Sequence, residues 1–413
     1  MPIEIRDHRP LEGPNLYYGQ PAVKLQTWSD RDIRREIANL VKAWAQMTGS
    51  VIGYLQQEVT QADGGYLITT TFTTPFPDVG DRIVEAAVAD LQAAERGDRE
   101  YSHDDLLFDI IRQRQREEPP MALLQVYAEA RARDLPFLPR SDGMIMLGSG
   151  SRGFIFDPSG LGVGLPVEIP WPDIGRVPVI ALTGAAGTTT TARLCAHVLA
   201  ATGKRAGVAG TEGITIAGET VETGDRANFA GARRVLTDPR VDVAILEVSR
   251  ESILQQGLGF EVCDVSVIMN VGVEHPDEQP LETLDEMARV QGVIALVTEA
   301  DGRVVLNATD ERLLEIEQYI NVPIMWFSHR PGHPRLPADD ETGKDAVWSD
   351  GTAIHITWNG THTQFSRADL PILDGAATLD VESVLAAIAA CVALGIDVAS
   401  IVEALRTFPP SHL

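Results

Sequence analysis

The stretch Thr183-Gly184-Ala185-Ala186-Gly187-Thr188-Thr189-Thr190-Thr191 has residue types and spacing that could do chemistry. A short apolar run, residues 177–182, precedes it, and a helical pattern with Leu194, Val198 and Leu199 on one face follows. Strand, glycine turn and helix N-terminus together present backbone N–H groups and a positive helix dipole to a phosphate. A nucleotide loop of this kind adds a lysine after its second glycine, reaching the β- and γ-phosphates, and then a Ser or Thr hydroxyl for Mg2+. Here Thr188 stands in the lysine's place and Thr189 keeps the metal-side hydroxyl. The stretch reads as an ATP site that lacks a main cation, with Gly184, Gly187, Thr188, Thr189 and Thr190 on the phosphate. The alternative is a glycine turn kept for strand–helix packing alone.

Ligands of an open α/β sheet sit beyond the carboxyl ends of its strands, so those ends are the next places to look. The apolar run from Val243 ends at Glu247. A carboxylate there, beside a phosphate loop, is a natural Mg2+ ligand, because Mg2+ takes one or two carboxylates plus phosphate oxygens. The run 265–269 ends at Asn270, with Glu274 and His275 just after it. That polar cluster could orient a γ-phosphate, a metal or an acyl group. The run 303–306 ends at Asn307, followed by Asp310, a pair suited to hydrogen-bond a base and a ribose. Each has a plainer reading as a turn or helix cap, and Asp310, just before a helical pattern, is a ready-made N-cap. Taken together with the glycine loop, they favour a nucleotide site.

The elements that must position these residues alternate. From residue 177 onward, apolar runs at 177–182, 243–247, 265–270, 303–307 and 322–327 have helical stretches such as 281–297 and 311–319 between several of them. That pattern implies a mostly parallel sheet with helices on both faces. Residues 347–365 read as antiparallel hairpins, and 382–394 and 400–407 as helices. Before them, residues 1–157 read as an α+β domain, with helices at 30–47, 81–94 and 121–133 and strands at 65–74, 143–147 and 153–156. A Gly- and Pro-rich linker follows at 158–176, and the nucleotide-binding domain is 177–413. The 413 residues are enough for two or three domains with real cores.

Composition excludes several classes. The net charge of −25 argues against a nucleic-acid partner, which needs a basic patch. No apolar run approaches the roughly 20 residues that cross a bilayer, and the N-terminus lacks a signal-peptide core. Cys195, Cys263 and Cys391 are far apart and lie in apolar segments, which reads as reduced core cysteines in a cytoplasmic protein.

These motifs, in this order, resemble the Mur ligase family and, within it, the cyanophycin synthetases. The family loop Gly-Thr-Asn-Gly-Lys-Thr corresponds to Gly184–Thr189. The family's Mg2+-binding Glu corresponds to Glu247. Its Asn-x-x-x-Asp-His corresponds to Asn270, Glu274 and His275, and its Asn-x-x-Asp, which holds adenine and ribose, to Asn307 and Asp310. Residues 11–15, Leu-Glu-Gly-Pro-Asn, resemble the opening of cyanophycin synthetases without its Arg, and residues 129–156 resemble the entry to their ATP-grasp module. The resemblance implies an ATP-dependent ligase joining a carboxylate to an amine, with ATP and Mg2+ as cofactors. It puts Glu247, Asn270 and His275 in catalytic places, and Thr189, Glu247 and His275 on the metal.

The departures bear on activity. The chain passes from Phe156 to the loop strand in about twenty residues, too few for an ATP-grasp module. A family lysine corresponds to Gln291, and adenine-side asparagines correspond to Asp380 and Ser383. The sequence stops at Leu413, before the turn that opens the family's C-terminal domain, so that domain is expected to be absent or supplied by another chain. Two function classes follow. One is an amide ligase that is weak or inactive alone. The other is a non-catalytic scaffold recognising a peptide, a polymer or a ligase partner. The acid and amine substrates and any homo-oligomer stay open.

Overall fold

The computed structural model describes residues 3–161, 168–272, 284–338, 343–373 and 380–409. Contacts group Met1–Gln125 with Leu254–Gly257 in one compact unit, and Val126–Ile253 with Leu258–Leu413 in the other.

In the first unit, β1 (Ile3–Leu11), β2 (Ala22–Ser29), β3 (Gly53–Ala62) and β4 (Gly65–Thr73) form an antiparallel sheet in the order β1-β2-β4-β3. Asp63-Gly64 joins β3 to β4 with φ of +53° and +75°, the left-handed pair that a two-residue hairpin needs. Helices α1 (Arg34–Thr48), α2 (Pro77–Arg96) and α3 (Asp104–Glu117) complete the unit. Ile37, Val41 and Trp44 of α1 and Ile83 and Val84 of α2 pack with Val23, Leu25, Ile68 and Phe72 of the sheet. The Trp44 indole donates to Asp90 Oδ2 at 2.9 Å, which satisfies a buried polar tip.

The division falls within α4 (Met121–Arg131), and the second unit continues with a three-stranded antiparallel sheet, β5 (Phe137–Pro139), β6 (Ile145–Leu147) and β7 (Phe154–Phe156). The sequence reading put strands at 143–147 and 153–156, the places of β6 and β7, in the N-terminal domain, and named none at β5. By contacts they group with the later chain. Ser149 N donates to Gly175 O at 3.0 Å, Ser151 N to Val241 O at 2.7 Å, and Val177 N to Ser149 Oγ at 3.0 Å.

The main sheet has β8 (Val179–Thr183), β9 (Ala206–Gly210), β10 (Gly213–Ile216), β11 (Glu219–Thr223), β12 (Val243–Glu247) and β13 (Cys263–Ile268). It continues with β14 (Thr298–Asn307), β15 (Ile324–Ser328), β16 (Ala346–Ser349), β17 (Ala353–Trp358) and β18 (Thr361–Ser366). The order is β11-β10-β9-β12-β8-β13-β14-β15-β16-β17-β18. Strands β9 to β16 in that order run parallel, and antiparallel pairs close both edges.

Both faces are covered, as a parallel core requires. Helices α5 (Thr188–Ala201), α11 (Val381–Ala393) and α12 (Val398–Arg406) pack on Ile180, Leu182, Ile245, Val267 and Phe327. The alternate residues Ala181, Leu246, Ile268 and Leu306 are equally buried, on the side of α6 (Phe229–Leu236) and α9 (Val293–Leu296). Short helices α8 (Leu284–Gln291) and α10 (Glu311–Ile316) complete the unit, together with the residues of α7 (Arg250–Gln255) up to Ile253. The fold class read from the sequence holds: an α+β N-terminal part, then a mostly parallel α/β sheet. Among the described residues, no helix is long and apolar enough to cross a membrane.

Candidate functional site

Parallel pairing brings the strand ends to one edge. Glu247 sits beside Leu182, Ile268 beside Thr183, and Asn307 beside Phe327. Glu247, Asn270 and Asn307 therefore emerge around the loop that follows β8. Thr183 Oγ1 donates to Val248 O at 2.8 Å and anchors the loop's start. Gly187 has φ +86° and caps α5 with no side-chain hydrogen bond, so among the described residues the first-turn N–H groups from Thr188 onward are left without a side-chain cap. A Cβ on Gly187 would lie 2.8 Å from Ser383 Oγ and 3.0 Å from Met269 Cε, so the position excludes a side chain both by conformation and by space. Thr190 is half-buried in the same turn.

Asn270 holds the loop rather than reaching beyond it. Its Oδ1 accepts from Ala186 N and its Nδ2 donates to Ala186 O, both at 3.0 Å, and Asn270 O accepts from Ala185 N at 3.4 Å. Asn270→Ala removes both side-chain bonds. Each is worth about 1 kcal/mol net, so the expected loss is about 1–2 kcal/mol, measured by urea unfolding.

Glu247 is 4% exposed. Its Oε2 accepts from Thr189 Oγ1 at 2.9 Å, and Thr189 Oγ1 lies 3.0 Å from Thr211 Oγ1. The room for the carboxyl comes from Gly210, where a Cβ would stand 2.0 Å from Glu247 Oε1. Burial pushes the Glu247 pKa up to about 7, against the lowering effect of hydrogen bonds from Thr189 and Thr188, and the charges of Glu212 and Asp225 add to the rise. The nearby Arg193 is paired with Glu212.

On the other side of the loop, Asn307 is buried, and its Oδ1 accepts from Thr309 N at 2.9 Å and Thr309 Oγ1 at 2.7 Å. Asp310 spends both oxygens on the backbone: Oδ1 accepts from Arg312 N at 3.0 Å as the cap of α10, and Oδ2 from Val271 N at 2.7 Å. Glu382 Oε1 lies 2.6 Å from His329 Nδ1 and 3.3 Å from Thr309 Oγ1. Ser383 Oγ lies 3.4 Å from Gly187 O and 3.5 Å from Asp380 Oδ2. Gln291 is 1% exposed, and its Oε1 has no hydrogen-bond partner among the described residues. His275 and Glu274 lie outside the described residues.

The structure thus brings Thr188, Thr189 and Glu247 together and clamps Asn270 to the loop. It ties Asn307 and Asp310 to the turn after β14. Sequence reasoning missed Gly210, Thr211, His329 and Glu382. The signal for the first two was the end of β9, whose small residues Ala206–Gly210 did not read as a strand. Among the described residues, no group of three or more His, Cys, Asp or Glu side chains is arranged to hold a metal.

The chain has relatives in sequence. It is 36% identical to cyanophycin synthetase from Crocosphaera subtropica over 250 residues, covering 60% of this chain and 28% of that protein. It is 35% identical to the Geminocystis herdmanii cyanophycin synthetase over 283 residues, covering 66% of this chain and 32% of that protein. The matched segment is thus less than a third of the length of either relative. Among solved structures, UDP-N-acetylmuramoylalanyl-D-glutamyl-2,6-diaminopimelate--D-alanyl-D-alanyl ligase from Acinetobacter baumannii aligns with 56% of this chain and 46% of that chain, at 19% identity and a TM-score of 0.39. The chain is related in sequence to the cyanophycin synthetases, and it belongs to the family described as "Domain of unknown function (DUF4938)", whose model matches residues 2–326.

Proposed function

We propose that this chain carries the nucleotide site of an ATP-dependent carboxylate–amine ligase with a degenerate phosphate loop, holding Mg-ATP weakly and turning over little by itself. The observation that carries the reading is the pairing of Glu247 with Thr189 beside the uncapped N-terminus of α5, in space that Gly210 leaves open. A carboxylate and a hydroxyl are the hard oxygen donors that Mg2+ takes together with phosphate oxygens. The raised Glu247 pKa fits a carboxylate that lacks a counter-ion and would gain one with the metal.

In this reading Gly184, Gly187, Thr188, Thr189 and Thr190 surround the phosphates, and Thr189, Glu247 and His275 face the metal. Asn270 fixes the loop's shape and touches no phosphate. Asn307 offers its amide N–H groups to a base, and Asp310 braces that turn. Bound Mg2+ would neutralise phosphate charge. Transfer of a phosphoryl group depends on positioned positive charge. Thr188 and Gln291 are neutral where the family resemblance has lysines, and removing one such donor typically costs about 10²–10³ in rate.

Calorimetry with ATP, with and without Mg2+, tests the site. Binding that needs Mg2+ and is lost in Glu247→Ala is the expected result. Thr188→Lys should then tighten Mg-ATP by about 1.5–3 kcal/mol, the usual worth of a hydrogen bond to a charged group. Hydrolysis at ordinary enzyme rates, roughly 1–10³ per second, would overturn the claim of weak turnover. One observation favours a scaffold instead: Asn270 already occupies the N–H and the carbonyl of Ala186. Absence of nucleotide binding in both the wild type and Thr188→Lys would select that reading.

A further inference from the structure

Strands β16, β17 and β18 form an antiparallel ladder at the edge of the main sheet, remote in sequence from the phosphate loop. Alternation along β17 buries Ile354 and Ile356 and turns His355 to the other face. Trp348 pairs directly with His355, and His362 enters the same face from β18, diagonal to His355. The Trp348 ring lies 5.0 Å from the His355 ring and 5.8 Å from the His362 ring, centroid to centroid. It forms a shared aromatic floor for both.

The two imidazoles present nitrogens to each other. His355 Nδ1 is 3.4 Å from His362 Nε2. Their centroids are 5.5 Å apart with planes at 21°. The centroid gap exceeds the nitrogen gap by nearly a ring's width, so the rings meet edge to edge. Asp350 fixes which nitrogen of His355 is free. Its Oδ2 accepts from His355 Nε2 at 2.9 Å. Its Oδ1 accepts from Thr352 N and Ala353 N at 2.7 Å and from Thr352 Oγ1 at 2.8 Å, which locks the carboxylate in place. With Nε2 as the donor, His355 Nδ1 carries the lone pair.

We propose that His355 Nδ1 and His362 Nε2 bind a divalent transition-metal ion of the zinc type, with Asp350 orienting His355. Two nitrogens each about 2.0–2.1 Å from one tetrahedral zinc ion stand about 3.4 Å apart, which is the separation here. The carboxylate behind a ligating imidazole is the usual support of such a ligand, fixing its tautomer and raising its basicity. Two protein nitrogens leave the remaining positions to water, so the site is open rather than a closed structural centre. The chain's net charge of −25 favours cation uptake in general.

The test is Zn2+ calorimetry on the untagged chain at about pH 7.5, because metal-ligating imidazoles bind in the neutral form. One saturable Zn2+ per chain is expected, absent in His355→Ala and in His362→Ala. Asp350→Asn should weaken it by about 10–100-fold, the usual cost of losing such a support. Cu2+, which follows zinc-type sites with higher affinity, should quench tryptophan emission in the wild type and much less in Trp348→Phe. His362 lies on an exposed edge strand, so its variant folds as the wild type does, checked by circular dichroism. Equal Zn2+ uptake by wild type and His362→Ala, or no saturable uptake by the wild type, overturns the proposal. Unchanged affinity in Asp350→Asn overturns the role of Asp350.

Discussion

Replacing Glu247 by glutamine is expected to stabilise the chain by about 3 kcal/mol above pH 7, and to change little below the ordinary carboxylate range. The position of one proton decides this. The folded pKa is pushed up to about 7 from 4.5 by burial, with Glu212 and Asp225 adding to it. Below the unfolded value both states hold the proton, and the folded state keeps the full benefit of a neutral buried group. As the pH rises, the unfolded chain ionises first while the folded chain still holds its proton, so stability falls with pH. The fall ends once the pH passes the folded value of about 7, where both states are charged.

Glutamine keeps the shape, can still accept from Thr189 Oγ1, and never ionises, so its stability should be flat across that window. Urea midpoints at several pH values measure the difference. Parallel curves for wild type and Glu247→Gln would refute a proton on Glu247. Saturating Mg-ATP adds a second contrast. It should raise the wild type's stability at neutral pH and leave the glutamine variant nearly unchanged, because only a carboxylate gains from the metal.

Much of this site could be read from residue order. The run Val243–Glu247 is the strand β12 residue for residue, because five apolar or strand-end positions between polar turns can hardly be anything else. The hairpins at 347–365 and the helices after 380 were legible for similar reasons. What was missed has several physical causes. Strand β1, Ile-Glu-Ile-Arg-Asp-His-Arg-Pro-Leu, carries charge along most of its length and has a register shift between Ile5 and Asp7. Strand β3 is an edge strand whose residues are mostly exposed. Neither shows the clean alternation of a half-buried strand. Strand β9, Ala-Gly-Val-Ala-Gly, has no bulk to mark it, yet its smallness is what admits Glu247. Partnerships across the sheet edge, such as Glu382 with His329 and Thr309, join residues 53 and 73 positions apart and leave no local trace. Asp310 shows the limit from the other side. Its spacing suits a ribose ligand, but the structure uses both its oxygens on backbone N–H groups.

Gly187→Ala is expected to destabilise the chain by about 2–5 kcal/mol and to abolish any nucleotide binding at the loop. Two costs combine. The backbone there has φ +86°, a left-handed conformation that an L side chain adopts at a cost of about 1–2 kcal/mol. The added methyl would also meet Ser383 Oγ at 2.8 Å and Met269 Cε at 3.0 Å, and overpacking of this kind typically costs about 1–3 kcal/mol. Gly395→Ala separates the two. Its φ is +87° and, among the described residues, no atom lies within 4 Å of where its added methyl would stand, so it carries the backbone cost alone. The difference between the two variants in urea unfolding is therefore the packing cost at the loop. Equal losses would mean that α11 yields freely, and that Ser383 does not hold the turn against α5. A larger loss at Gly187, together with loss of Mg-ATP binding, would tie the shape of the turn to the α5 N–H groups. Binding retained in Gly187→Ala would place the nucleotide elsewhere.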